Sequence, residues 1–122
     1  STFGGNPLVA RVALQVLEII ERDGLLERAR HLGERICYQF KEKLDSLVGV
    51  IEIRGRGLMI GIELDRPCSE IVELALKEKL LVNVASGNVV RLLPPLILKD
   101  QEAAVLVEKL SGIIKDFLTK KR

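Results

Sequence analysis

The sequence predicts an α+β domain in which helices lie over a small, mainly antiparallel sheet, in the order ααββαββα. Three observations predict it. Apolar residues recur at three- and four-residue steps in the helical stretches. Shorter stretches between them alternate apolar and polar residues as strands do. Glycine, proline or asparagine marks most of the junctions.

The first helix starts at Asn6-Pro7, a capping side chain followed by a residue whose fixed φ suits the first helical position. It runs to Asp23, where Gly24 fits a C-terminal cap. Arg11, Gln15, Glu18 and Arg22 form one narrow polar stripe with Glu21 beside it, and nearly everything else is apolar. Such a helix needs cover on several sides, so a partner surface beyond this chain is expected. Leu25 to Leu47 reads as a second amphipathic helix, with Leu26, Ala29, Leu32, Ile36, Phe40, Leu44 and Leu47 on its apolar face, ended by Gly49.

Val50 to Arg54 alternates, placing Ile51 and Ile53 on one face and Glu52 and Arg54 on the other. After Gly55-Arg56-Gly57, Leu58, Ile60, Ile62 and Leu64 alternate against Met59, Gly61 and Glu63, which predicts a hairpin or bulged neighbour of the first strand. Pro67 to Leu80 reads as a third helix with Ile71, Leu74, Ala75 and, at the margin, Val72 facing inward. Leu81 to Ala85 and Asn88 to Leu93 are two further strands around the turn Ser86-Gly87-Asn88, and Pro94-Pro95 stops the last one. Asp100 is the expected cap of the final helix. Its apolar face is Ala103, Leu106, Val107, Leu110, Ile113, Ile114, Phe117 and Leu118, with Lys115, Lys120, Lys121 and Arg122 suiting its C-terminal end.

Residues 1–122 read as one domain with no internal repeat or linker. The composition is 48% apolar but only 3% aromatic, an aliphatic globular chain rather than a disordered one. A net charge of +2 does not predict a polyanion partner, and the aromatic residues on which single-stranded nucleic acid stacks are scarce, so no nucleic acid is expected. No run of about 18 apolar residues could span a membrane, and no signal peptide is visible. Cys37 and Cys68 match no metal spacing and read as reduced thiols, so a cytoplasmic location is expected. The opening Ser1-Thr2-Phe3-Gly4-Gly5, without a methionine, reads as the start of a piece of something longer.

Four features bear on chemistry. Gly55-x-Gly57-x-x-x-Gly61 superficially resembles a dinucleotide loop, but the residues after it alternate as a strand, so hairpin or bulge glycines are the better reading. His31 is the only histidine and sits among Arg30, Glu34 and Arg35, which argues for a solvated helix face and against a metal site or a Ser-His-Asp triad. Ser1 to Pro7 sets two hydroxyls and two glycines before a helix start, where free N–H groups favour an anion such as a phosphate. A simple glycine-bearing turn with its cap explains that segment equally well. Arg91 interrupts an apolar strand and shares a face with Val89 and Leu93. Its guanidinium suits either a substrate carboxylate, held bidentately, or an internal partner such as Glu52 or Glu63.

Three segments in register then carry a resemblance: Ser1-Thr2-Phe3-Gly4-Gly5-Asn6-Pro7-Leu8, Arg54-Gly55-Arg56-Gly57-Leu58-Met59-Ile60-Gly61-Ile62-Glu63-Leu64, and Leu81 to Ala85 followed by Asn88-Val89-Val90-Arg91-Leu92-Leu93-Pro94-Pro95-Leu96. Together they resemble the C-terminal part of class III (subgroup II) pyridoxal-phosphate aminotransferases, over essentially the whole chain. The resemblance implies the small C-terminal domain, with 1–24 as its entry segment and interdomain helix, of a fold-type-I enzyme that uses pyridoxal 5'-phosphate and works as a homodimer. It implies that Thr2 contacts the cofactor phosphate, that Ser1 contacts substrate, both across the dimer interface, and that Arg91 holds the α-carboxylate of the amino acid or of 2-oxoglutarate. The implied reaction moves the δ-amino group of N-acetylornithine to 2-oxoglutarate in arginine biosynthesis. Sibling reactions on ornithine, succinylornithine or 4-aminobutyrate are the alternative within the family, and a non-catalytic α+β regulatory or interaction module is the alternative outside it. The family's cofactor-binding lysine and its pyridine-pairing aspartate fall on the large domain, upstream of Ser1. No catalytic residue and no metal ligand is therefore assigned here, and the chain alone is expected to bind no cofactor and to be inactive.

Overall fold

A computed structural model describes residues 1–120, and its elements follow the predicted order. Helices α1 (Pro7–Arg22) and α2 (Leu25–Leu44) precede strands β1 (Val50–Arg56) and β2 (Met59–Leu64). Then come α3 (Glu70–Lys77), β3 (Asn83–Ala85), β4 (Val89–Leu92) and α4 (Asp100–Thr119). Every strand pair is antiparallel, and the strands lie in the order β1-β2-β4-β3. Lys121 and Arg122, expected at the end of the last helix, lie outside the described residues.

The core forms where one face of the sheet meets the helices. Leu32, Ile36, Phe40 and Leu44 of α2 pack with Ile53, Ile60, Ile62, Leu64, Val90 and Leu92 from three strands, and Val107, Leu110 and Ile114 of α4 close the cluster. Burying each such side chain contributes about 1.5–3 kcal/mol relative to leaving it in water, so a mainly aliphatic cluster around Phe40 can hold an aromatic-poor chain. The approach of α2 to the sheet depends on Gly33: a Cβ there would stand 1.8 Å from the carbonyl oxygen of Gly57 in the β1–β2 turn. Gly57 itself has φ +55°, at the first of the two residues between the paired Arg56 and Met59.

Several local expectations are corrected. Ile51 does not share the buried face with Ile53; it is 59% exposed, because the pairing shifts register between Val50 and Glu52. A bulge there adds a residue to β1 and turns the alternation over. In α2 the inward residue of the first turn is Leu25, and Leu26 is 72% exposed. Leu25 lies two turns from Leu32 and in phase with it, whereas Leu26 sits about 100° round the axis. The helix ends at Leu44 rather than Leu47, where the Leu47 N–H donates to the Leu44 carbonyl and tightens the chain into the Gly49 turn.

Helix α3 is shorter than Pro67 to Leu80. The Cys68 N–H donates to the Gly87 carbonyl, outside the helix. At the other end Lys79 adopts φ +61°, with the Leu80 N–H donating to Ala75 and the Lys79 N–H to Leu76. That is the Schellman pattern, with a lysine in the left-handed position that glycine usually takes. Val72 sits at the solvent edge, as its marginal place in the pattern predicts. Strands β3 and β4 are also shorter than expected, since Leu81 stands 89% exposed and the proline pair after Leu93 offers no N–H to extend the ladder.

Asp100 does not cap α4. Lys99 occupies the cap position, and its N–H donates to the Glu102 carboxylate at 2.8 Å. Asp100 instead pairs with Arg28 and with Arg35 at 3.0 Å, tying the start of α4 to α2. These two guanidiniums hold the Asp100 carboxyl down to about 2, Arg35 foremost. The predicted face of α4 holds: Ala103, Val107, Leu110, Ile113 and Ile114 are buried, and Leu106, Phe117 and Leu118 pack against them.

Candidate functional site

The inward turn of Val90 and Leu92 forces Arg91 outward, because β4 alternates. Arg91 does share a face with Val89 and Leu93, but that face is the open one: Leu93 is 69% exposed. Antiparallel register then builds a row across all four strands, in which Arg54 of β1 pairs with Gly61 of β2, Gly61 with Arg91 of β4, and Arg91 with Asn83 of β3. One step along, Glu52 pairs with Glu63 and Glu63 with Val89. Sequence-distant residues thus meet on one surface. Arg54, Arg56, Met59, Gly61, Ser86 and Arg91 line a depression of about 420 Å³ over it. Gly61 keeps the floor low, since a Cβ there would come 3.3 Å from Val89 and 3.9 Å from Arg54.

The charges on this face are sorted unevenly. Nη1 of Arg54 donates to Glu52 and to Glu63, at 2.6 Å each. The two carboxylates raise the Arg54 pKa above its ordinary value, Glu63 foremost. The carboxylates suggested as partners of Arg91 are therefore held by a different arginine. The guanidinium of Arg91 has no hydrogen-bond or ion-pair partner among the described residues. What Arg54 and Arg56 add to the face escaped the sequence reading. The signal for Arg54 was present in the β1 alternation and the two-residue turn, which set it opposite Gly61. The pairing of Gly61 with Arg91 is a long-range fact that no local pattern contains.

At the other end of the chain Asn6 organises Ser1 to Gly5. Its side-chain oxygen accepts from the Val9 N–H at 3.0 Å, and its amide donates to the Phe3 carbonyl at 2.7 Å. The predicted N-cap is thus in place, with Pro7 at the first helical position. Capping consumes part of the donor supply assumed for an anion: Pro7 has no N–H, that of Val9 is used by Asn6, and that of Ala10 by the Asn6 carbonyl. No acidic residue stands in the first turn to repel an anion, and Ser1 and Thr2 are exposed. Helix α1 meets α2 beside the turn that joins them and buries none of its own residues, so these hydroxyls are not joined to the Arg91 face through the helix that carries them. Along α1, Val9, Val12, Leu14, Val16 and Leu17 are exposed, and no residue of the helix is buried.

The remaining candidates behave as simple packing or surface groups. His31 is exposed, with Nε2 3.4 Å from Glu27. Cys37 is half-buried and Cys68 buried; burial pushes both thiols up, with Lys41 partly offsetting this at Cys37. Among the described residues no group of His, Cys, Asp and Glu could hold a metal ion, and no helix is long and apolar enough to cross a membrane. The Gly55 to Gly61 segment forms the β1–β2 hairpin, as its alternation predicts.

Comparison with known proteins places this arrangement. The aminotransferase class-III family model matches residues 1–114. The acetylornithine aminotransferase of Nitrosomonas europaea is 50% identical over 118 residues, covering 97% of this chain and 30% of its own length. The structure of ornithine δ-aminotransferase from Plasmodium falciparum superposes with a TM-score of 0.92 at 29% identity, over 99% of this chain and 32% of that one. Acetylornithine aminotransferase from Elizabethkingia anophelis superposes with a TM-score of 0.83 at 34% identity, over 96% of this chain and 32% of that one. The chain thus spans about a third of the length of these relatives. With the family match running over residues 1–114 and the superposition covering nearly the whole chain, the chain belongs to the class-III aminotransferases.

Proposed function

We propose that the whole protein is a pyridoxal-phosphate-dependent aminotransferase in which the outer face of this sheet receives the substrate carboxylate. The observation that carries the reading is Arg91: an exposed guanidinium without a partner among the described residues, beside a glycine floor, on a face whose two acids are already paired. A planar guanidinium binds a carboxylate through two parallel N–H bonds, and the same fork serves the amino acid and 2-oxoglutarate in turn. When bound, pyridoxal 5'-phosphate supplies the electron sink and carries the amino group between the two half-reactions.

The residues at the chain's start fit one part of that cofactor. Thr2 offers an exposed hydroxyl beside a helix start free of acids, which suits contact with the phosphate, and by the family resemblance the exposed Ser1 beside it touches substrate. Because α1 carries these hydroxyls without packing over the sheet and leaves its own apolar residues exposed, they suit the site of a second subunit in a homodimer. The cofactor-binding lysine belongs, by family resemblance, to the large domain. This chain contributes carboxylate binding, phosphate contact and part of the subunit interface.

For the amino donor we favour N-acetylornithine, giving up its δ-amino group to 2-oxoglutarate in arginine biosynthesis in the cytoplasm. Support comes from the identity to the Nitrosomonas europaea acetylornithine aminotransferase. Ornithine is the second reading, favoured by the TM-score of 0.92 with an ornithine δ-aminotransferase. Steady-state assays of the full-length enzyme separate the donors by kcat/KM. In the same assay Arg91→Ala should raise KM for both donor and 2-oxoglutarate by about 10- to 100-fold, the value of a charge-assisted bond pair. Unchanged KM for both removes Arg91 from the site.

A further inference from the structure

Resting on the reading of Arg91 as the carboxylate clamp, we propose that Arg54 is its positioning residue: by holding Glu52 and Glu63, Arg54 keeps the Arg91 guanidinium free for substrate. Glu63 pairs across the sheet with Val89, and Arg91 with Gly61, so Glu63 and Arg91 are diagonal neighbours on one face. Diagonal residues on adjacent strands sit about 7–8 Å apart, within reach of long side chains. Glu63 is therefore the internal carboxylate best placed to occupy Arg91. It does not do so, because Nη1 of Arg54 holds it at 2.6 Å. The same nitrogen holds Glu52 at 2.6 Å, on the strand beyond.

Arg54 serves both acids for a geometric reason. Glu52 and Glu63 are Cα partners, and like charges directly opposite one another repel. A cation one step along β1 and on the same face relieves that repulsion and fixes both carboxylates on the side away from β4. Gly61 stands between Arg54 and Arg91 and puts no side chain in the way. The face thus carries two acids and three arginines, with both acids on Arg54 and with Arg56 and Arg91 left open. A free Glu63 would act as a tethered competitor of the substrate carboxylate, raising KM for both substrates and leaving kcat alone.

The test compares two charge-neutral double variants of the full-length enzyme. Arg54→Gln with Glu52→Gln leaves Glu63 unheld beside Arg91. Arg54→Gln with Glu63→Gln leaves only Glu52 unheld, two strands away. The first should raise KM for amino donor and 2-oxoglutarate by about two- to fivefold, the worth of an exposed ion pair, with kcat unchanged. The second should match the wild type. Equal KM values in the two doubles overturn the proposal, since a merely structural role of Arg54 affects both alike.

Arg91→Ala, measured alongside, separates the failures. Unchanged KM in Arg91→Ala sinks the clamp reading and this proposal with it. Raised KM in Arg91→Ala with equal doubles sinks the role of Arg54 alone. Should neither double fold, the single Arg54→Gln carries the test, since it leaves Glu63 unheld diagonally across from Arg91. It should raise both KM values about two- to fivefold by the same competition, and unchanged values overturn the proposal.

Discussion

The two faces of the sheet use one alternating pattern for opposite ends. Inward, Ile53, Ile60, Ile62, Val90 and Leu92 present aliphatic side chains to α2 and α4 and are almost wholly buried. Outward, the intervening residues set Arg54, Glu52, Glu63 and Arg91 around a glycine. The inner face gains its stability from area removed from water, which tolerates no charge. The outer face keeps its charges hydrated, so its ion pairs add little to stability and serve instead to sort which cation stays free. With Arg91 as the proposed carboxylate clamp, fold and binding are separated within single strands, and substitutions on the two faces should have separable effects.

The largest expected effect tests the inner face. Phe40 is fully buried in the middle of the cluster. Phe40→Ala removes its contacts and leaves a cavity, at a cost of about 3–5 kcal/mol. The urea midpoint should fall accordingly, while KM of the molecules still folded stays at the wild-type value. A raised KM in that folded population would mean that the two faces are coupled. Arg91→Ala is the converse. It should shift stability by less than about 0.5 kcal/mol, as surface substitutions do, while weakening carboxylate binding as stated above.

This separation also explains what the sequence disclosed. Ile60, Ile62, Val90 and Leu92 were legible because a strand's side chains must alternate. Arg91 was legible as an anomaly for the same reason. Ile51 was misplaced because a bulge depends on the partner strand, β2, and not on β1's own residues. Leu26 was misplaced because choosing between adjacent leucines requires the phase at which the helix meets the sheet. The partner of Glu63 was illegible, since choosing between Arg54 and Arg91 needs the registers of two separate strand pairs. For Ser1 and Thr2 the hydroxyls before a helix start suggested an anion but suited a capped turn equally well, so their separate roles rested on family resemblance.

A smaller effect lies within the covered side, at the one buried polar side chain among the described residues. Ser111 is 2% exposed in α4, and its hydroxyl has no hydrogen-bond partner among the described residues. Ser111→Ala removes an unpaired buried hydroxyl and improves helix propensity, so it should stabilise by about 1 kcal/mol. A loss of stability, read from the urea midpoint, would reveal a partner for the hydroxyl and weaken the description of this side as held by apolar packing.

The smallest effect belongs to the rim, where charge does contribute to the fold. Asp100 bridges to Arg28 and Arg35 and so clamps α4 to α2. Its carboxyl is lowered from 3.8 to about 2, chiefly by its hydrogen bonds to Arg35 and then Arg28. A depressed folded-state pKa means that the unfolded chain takes up the proton first on acidification. The contribution is therefore complete above about pH 4 and disappears as pH falls towards about 2. Asp100→Asn should lie below the wild type in urea midpoint at neutral pH and converge with it near pH 2. Because all three side chains are partly exposed, 1 M salt should shrink the neutral-pH gap, with a Debye length of about 3 Å. A gap that persists undiminished at pH 2 would mean that Asp100 acts through packing or helix-end geometry, and that the rim follows the rule of the inner face rather than the outer.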